Sequence, residues 1–300
     1  MFEDGSRSTT GPYSSPARPA CGARTINCVG SDRCYGVLMT TLHSTETFIP
    51  TPAGKLFARE WRPKTIGGDA CIIMFHDSLG SVDQWRDFPA RVAEIADRRV
   101  IAYDRLGFGR SGANPRLLAP DFVRDEAVSA LPYIRDTLAI DRMILFGHSV
   151  GGGMAVATGA TFAAETDAVV TVAAQAFVED RTLAGIEEAK LAFQAPGQIE
   201  RLAKYHGDKA RWVLDAWIET WLAPDRADWT LDDDLRRLQC PILALHGDHD
   251  EYGSRAHPDR IAALAGGRAE AVLLKNCHHM PHREMPGEVL QRTAQFLNTL

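Results

Sequence analysis

The 300-residue sequence has no apolar run approaching the ~20 residues needed to span a bilayer. It also lacks a basic start followed by an uninterrupted apolar stretch of the secretory kind. Positive charge is in deficit, since 33 Lys and Arg stand against 39 Asp and Glu for a formal net charge of −6. Such a surface has no electrostatic footprint for DNA or RNA, whose non-specific binding needs clustered cations to displace counterions. The expected partner is a small molecule, not a nucleic acid. Cysteine is scarce: Cys21, Cys28, Cys34, Cys71, Cys240 and Cys277 form neither a C-x-x-C pair nor a tight framework. That usage suits a reducing compartment, and the expected location is cytoplasmic. A nicotinamide or flavin fingerprint, an H-E-x-x-H pair and an internal repeat are all missing, so no cofactor and no metal is expected. The rest is ordinary globular composition, 45% hydrophobic and 24% charged, in a chain long enough for one large core or two modest ones.

Residues 1–38 stand apart. They are dense in Ser, Thr, Gly, Pro and Arg, lack hydrophobic periodicity, and cannot bury enough surface to offset their ordering entropy. The expectation is a disordered leader, with Met39 opening a more ordinary sequence. Glu3, Asp4 and Asp32 speak against a mitochondrial-type targeting peptide. Residues 47–50 and 55–61 flank a Pro-Ala-Gly turn, which is a hairpin signal. Apolar runs too short for helices follow at 70–75, 100–103, 143–146 and 168–172. Helical periodicity separates them at 85–96, at 122–138 with Asp121 as N-cap, and at 152–164. After a helix-rich interval at 177–238 the pattern resumes with strands at 242–245 and 271–274 and helices near 258–264 and 286–297. Strand–helix repetition of this kind predicts an α/β fold with a mostly parallel central sheet and helices on both faces. Residues 39–176 and 239–300 then form one body, and 177–238 is an insertion into it. Cys71 and Cys240, at the starts of strand-like runs, read as plain core residues.

The most informative segment is residues 142–153, where a short apolar run enters Gly147-His148-Ser149-Val150-Gly151 and leaves in an Ala-rich helix. Strand, tight turn and helix are the context in which G-x-S-x-G presents a strained serine above a sheet. Only hydrogen at positions 147 and 151 avoids collision of neighbouring chain segments. Ser149 also stands at a helix N-terminus, which favours developing negative charge. On these residues the sequence from Thr47 to Leu300 resembles the α/β-hydrolase superfamily of serine hydrolases, whose helical lid falls where 177–238 lies. The resemblance implies an α/β-hydrolase fold and a triad in the chain order Ser, acid, His. In His246-Gly-Asp-His-Asp250 the family's acid corresponds to Asp250, with Asp248 and Glu251 as rivals on the same loop and Glu179 or Asp180 at a less common location. The segment His278-His279-Met-Pro-His282-Arg-Glu-Met-Pro286 resembles the family's last-strand loop and places His279 at the catalytic base. Cys277, His278, His279 and His282 can also be read as metal ligands, but no companion ligand motif supports that reading. His76, His148, His246 and His249 read as loop scaffolding.

Two backbone amides must hold the oxyanion of a tetrahedral intermediate. By the resemblance they are those of Val150 and of Ser78, in the loop His76-Asp77-Ser78-Leu79-Gly80 where the family shows H-G-x-x-G. Asp77 replaces the usual glycine, so its carboxylate either points away or tunes the site. The S-L-G with Trp85 beyond it is similar to the loop of enol-lactone hydrolases. Asp104 and Arg105, in the next loop, read as structural ion-pairing groups. In the insertion Trp217 and Trp221 share a helical face at i,i+4 spacing, and either line an apolar substrate pocket or anchor the cap. Lys204, His206, Lys209 and Arg211 read as a solvated helix face, with a substrate carboxylate as the rarer alternative. Three functions stay open. The first is a serine-dependent hydrolase of carboxylic esters, thioesters or lactones; the second is a carbon–carbon bond hydrolase of ring-cleavage products; the third is a hydrolase-fold ligand receptor with little turnover. Ser149 argues against dehalogenases and epoxide hydrolases of this fold, which use Asp as nucleophile. Oligomeric state is left open.

Overall fold

Short runs of Ile, Val, Leu and Met with no polar alternation are strands buried on both faces, and here they build the centre of one sheet. The computed structural model describes residues 42–300; the leader expected at 1–38, with Cys21, Cys28 and Cys34, lies outside the described residues. The described chain opens on a hairpin of β1 (His43–Thr51) and β2 (Gly54–Arg62), closed where the Thr51 hydroxyl donates to the Gly54 carbonyl at 2.6 Å. β3 (Cys71–Phe75), α1 (Phe88–Ala96) and β4 (Val100–Tyr103) follow, then α2 (Phe122–Ser129), α3 (Leu131–Leu138) and β5 (Met143–His148). α4 (Val150–Thr161) leads to β6 (Thr166–Val172). The segment before the next strand holds α5 (Asp180–Ala192), α6 (Gln198–His206), α7 (Ala210–Trp221) and α8 (Asp232–Arg237). The chain closes with β7 (Ile242–Gly247), α9 (Ala256–Leu264), β8 (Ala269–Leu274), α10 (Pro281–Glu284) and α11 (Pro286–Leu297).

Among the described residues the sheet has eight strands in the order β1-β2-β4-β3-β5-β6-β7-β8. β2 pairs antiparallel with β1 and β4, and every other pairing is parallel. Alternation along each strand divides the core in two. Ile73, Phe75, Tyr103 and Leu145 face one side, where α2, α3, α4 and α9 contribute Val123, Leu131, Met154 and Ile261. Ile72, Met74, Val100 and Phe146 face the other, under Phe88 and Val92 of α1 and Val289 and Phe296 of α11. Each such fully buried large side chain contributes roughly 1.5–3 kcal/mol. β3 lies between β4 and β5, so consecutive connections leave it in opposite directions. The loops after β3, β5, β7 and β8 therefore meet at the carboxyl ends of the strands, beside the switch point where open α/β sheets gather their sites.

Two helix boundaries and one cap differ from the sequence reading. The helix expected over 122–138 is two helices meeting at Ala130, because Pro132 lacks an amide and its ring crowds the preceding turn, so it is accommodated only in the first turn of α3. Asp121 occupies the N-cap position of α2, yet its side chain makes no capping bond and instead meets Arg124 at 3.3 Å. The helix expected from Trp85 starts at Phe88, with Pro89 in its first turn, and Trp85 closes a separate 3-10 turn, Val82–Trp85. Cys71 and Cys240 are buried as expected. Among the described residues no helix is long and apolar enough to cross a membrane.

Candidate active site

β5 leads directly into a residue whose backbone geometry few L-amino acids adopt. Ser149 has φ 56° and ψ −127°, strain that persists only where its surroundings over-determine it. Two glycines supply the constraint. A Cβ on Gly147 would overlap the Gly151 carbonyl oxygen, and one on Gly151 would overlap the carbonyl oxygen of Phe75 in β3. Hydrogen alone lets α4 start this close to β5 and β3. The turn is held by the Ser149 amide donating to Val172 at 2.9 Å and the Gly152 amide donating to the Ser149 carbonyl at 2.8 Å.

His279, 130 positions from Ser149 and 29 from Asp250 along the chain, touches both. Ser149 Oγ lies 3.0 Å from His279 Nε2, and His279 Nδ1 lies 2.9 Å from both carboxylate oxygens of Asp250. Asp250 is wholly buried, and it also accepts the amides of Tyr252 at 2.8 Å and Gly253 at 3.1 Å. Burial by itself raises a carboxyl pKa, but the charge and hydrogen bond of His279 outweigh it and hold Asp250 below its ordinary value. For His279 burial works downward, and the charge and bond of Asp250 prevail, leaving the imidazole above its ordinary value. His246 stands behind the acid, its Nε2 3.0 Å from the Gly253 carbonyl and 3.3 Å from Asp250.

The rival acids are engaged elsewhere. Asp248 accepts the Cys277 amide at 3.3 Å, and Glu251 accepts the backbone amide of His279, not its ring, at 3.3 Å. Glu179 accepts from Ser254 and faces His257 Nε2 at 3.0 Å, while Asp180 opens α5. The set once readable as metal ligands disperses: Cys277 is buried, His278 meets Glu284 at 3.2 Å, and the His282 ring packs on Trp85 at 4.8 Å. Exposed His249 lies 4.0 Å from Asp248.

The loop after β3 brings Ser78 to the same place. Among the described residues the amides of Ser78 and Val150 have no acceptor, and Val150 opens α4 directly after the serine. Asp77 turns its carboxylate into the loop. One oxygen accepts the Leu79 amide at 2.9 Å and the other lies 3.2 Å from His148 Nδ1. Burial pushes Asp77 up, but the hydrogen bond and charge of His148 win and hold it well below the carboxylate range. His148 Nε2 in turn reaches the His279 carbonyl at 2.7 Å, so this histidine ties the loop after β3 to the His279 loop. Asp104 and Arg105 correct the expectation of ion pairs. Asp104 accepts the amides of Val82 at 2.6 Å and Arg110 at 2.7 Å, and burial raises it to about 6. Arg105 donates to the Asp77 carbonyl at 2.9 Å and lies 4.0 Å over the Phe108 ring. Buried loop amides and carbonyls need partners more than the side-chain charges need one another.

A cavity of about 310 Å³ opens beside Ser149. Trp217 and Trp221 of α7 line it, together with Thr182 and Ile186 of α5. Trp221 also packs on Trp229 at 5.6 Å, so it lines and anchors at once. The solvated face expected at 204–211 holds only for Lys204 and Arg211. His206 is buried, accepting the Gly109 amide at 2.8 Å and facing the Leu79 carbonyl at 3.0 Å, and Lys209 donates to the carbonyls of Gly109 and Ser111. These two side chains pin the end of α6 and the turn before α7 onto the loops after β3 and β4. Among the cavity residues that the sequence reading did not single out are Gln175, whose Oε1 accepts from the Ser149 hydroxyl at 3.3 Å, Tyr252, and Arg283. No local motif marks Gln175; its place just past β6 was the available signal.

Comparisons with known proteins bear on the family and the fold. The chain is 25% identical over 242 residues to serine hydrolase BPHL of Homo sapiens, covering 77% of this chain and 80% of that protein. It is 27% identical over 263 residues to the 2-hydroxymuconate semialdehyde hydrolase of Pseudomonas sp. (strain CF600), covering 75% and 86% respectively. The solved carboxylesterase CesB of Bacillus subtilis superposes with a TM-score of 0.64 at 21% identity, over 85% of this chain and 92% of that one, a likeness of fold. With residues 72–292, well over half of its length, matching the model of the alpha/beta hydrolase family, the chain belongs to that family and is a hydrolase.

Proposed function

We propose that the protein is a serine-dependent hydrolase of carboxylic esters, thioesters or lactones, working through an acyl-enzyme on Ser149. The observation that carries this reading is the unbroken line from the Asp250 carboxylate through His279 to the Ser149 hydroxyl, with bonds of 2.9 and 3.0 Å. Ser149 Oγ attacks the carbonyl carbon, its proton passes to His279 Nε2, and the carbonyl electron pair moves to oxygen. The Val150 and Ser78 amides hold that oxyanion, an effect on the order of several kcal/mol. Collapse breaks the bond to the leaving alkoxide or thiolate, which takes the proton from His279. Water then gives a proton to His279 and attacks the acyl carbon; collapse returns the proton to Ser149 and releases the acid.

Residues 177–238 act in this reading as a helical cap over a body formed by 39–176 and 239–300. The cap excludes water, and Trp217 and Trp221 receive the apolar part of the substrate. Asp77 serves the site through His148. Asp77→Gly removes the acceptor facing a buried imidazole, so kcat for a simple ester is expected to fall about tenfold or more; a rise would show the carboxylate to be a burden. A second reading, cleavage of a carbon–carbon bond in a ring-cleavage product, draws support from the match to the 2-hydroxymuconate semialdehyde hydrolase.

Labelling with a fluorophosphonate tests the common core of both readings, since it needs an activated serine. The wild-type protein is expected to label stoichiometrically at Ser149, and a protein that stays unlabelled refutes them. A panel of p-nitrophenyl esters, thioesters, lactones and a vinylogous diketone then orders the classes. Consumption of the diketone far ahead of the esters would replace the first reading by the second.

A further inference from the structure

The cavity beside Ser149 holds one cation that the chemistry above does not use. Arg283, in α10, lies four residues beyond His279 and lines the cavity. Its Nη2 donates to the Gln84 carbonyl at 2.8 Å and reaches the Gln84 side-chain oxygen at 3.4 Å, while Gln84 is itself fixed by donating to the Leu79 carbonyl at 2.7 Å. Arg283 Nε is buried with no hydrogen-bond partner. Among the described residues no carboxylate lies within ion-pair distance of this guanidinium.

The two acids that share the cavity are committed elsewhere, Asp77 to His148 and the Leu79 amide, and Glu251 to the His279 amide. Burying an unpaired guanidinium is unfavourable, and burial indeed lowers its proton affinity. A cation held in place at the wall of a largely apolar cavity attracts an anion more strongly than one in water. The planar fork of Arg matches a carboxylate. Trp217, Trp221 and Ile186 supply apolar wall for the rest of such a ligand.

We propose that Arg283 recognises a free carboxylate on the substrate, so that the preferred substrates are esters, thioesters or lactones that carry a carboxylate on an otherwise apolar body. This rests on Ser149 as the nucleophile. The assignment replaces Lys204, His206, Lys209 and Arg211 as the carboxylate partner, two of which are turned away to pin the insertion.

Matched substrates test it: mono-p-nitrophenyl esters of succinate, glutarate and adipate against the neutral p-nitrophenyl esters of equal chain length. In the wild type at least one anionic ester is expected to exceed its neutral counterpart in kcat/KM by about 10- to 100-fold, the range of a hydrogen-bonded charge pair. In Arg283→Gln that ratio falls towards one, chiefly through KM, in Arg283→Lys part of it survives, and in Arg283→Glu it inverts. The ratio is insensitive to a uniform loss of active protein, and the wild-type comparison needs no variant to fold. A wild type that prefers the neutral esters, or a ratio that survives Arg283→Gln, makes Arg283 a brace for Gln84 and overturns the proposal. Fluorophosphonate labelling run in parallel keeps the two readings apart. Labelling without an anionic preference removes the role of Arg283 alone, whereas no labelling removes the nucleophile itself.

Discussion

Ser149→Ala is expected to abolish fluorophosphonate labelling and to lower kcat for the best substrate of the wild-type protein about a million-fold. The size of the loss follows from what the hydroxyl does. It lies 3.0 Å from His279 Nε2 and 3.3 Å from Gln175 Oε1, so two acceptors compete for its proton, and in the proposed mechanism the closer is the base. Alanine removes the bond-forming atom but keeps the φ of 56° imposed by Gly147, Gly151 and the Val172 carbonyl, and therefore keeps the fold. A melting temperature close to the wild type's, together with loss of labelling, isolates the chemistry from stability. Retained labelling would place the nucleophile on another residue.

Asp250→Asn is expected to cost about ten-thousand-fold in kcat, because an amide facing His279 Nδ1 favours the wrong tautomer while leaving the geometry intact. It also carries a pH signature. His279 must be neutral to take the serine proton, and the buried charge of Asp250 raises the pKa of its imidazole above 6.5. In the wild type kcat/KM therefore rises with pH through a limb above 6.5, and in the variant that limb moves to lower pH. Stability is linked with the same sign. The raised His279 contributes stability that is fully present below its unfolded pKa of about 6.5 and lost as pH rises through the folded value. The variant is thus destabilised more at pH 6 than at pH 9. Asp248→Asn serves as the contrast, since Asp248 accepts only the Cys277 amide and a weak approach from His249. Inactivation of Asp248→Asn with Asp250→Asn unharmed would reassign the acid.

Much of the fold was readable because the signals are local. β3, β4, β5 and β6 stand where short, mostly apolar runs stand, and the hairpin of β1 and β2 closes at its Pro-Ala-Gly turn. Where helices were misread, a single proline overrode a period that continued across it, as Pro132 does between α2 and α3. The strained turn at Ser149 was readable for the same reason, its sequence signal lying within five consecutive residues. Asp250 was only the best of several acids on chemistry that Asp248 and Glu251 share, and distance to His279 separates them.

Side chains that act across the chain had no such signal. Arg283 meets Gln84, 199 positions away, and His206 meets the Gly109 amide, 97 positions away. By itself, then, the sequence determined the strand–helix order, the α/β body and the turn that strains Ser149, since each follows from backbone sterics and hydrophobic period within a few residues. Only the tertiary structure decided which carboxylate faces His279, where Asp77 spends its charge, and which cation stands unpaired beside Ser149. Those outcomes depend on how buried charges from distant elements find or miss partners, and no local pattern encodes that.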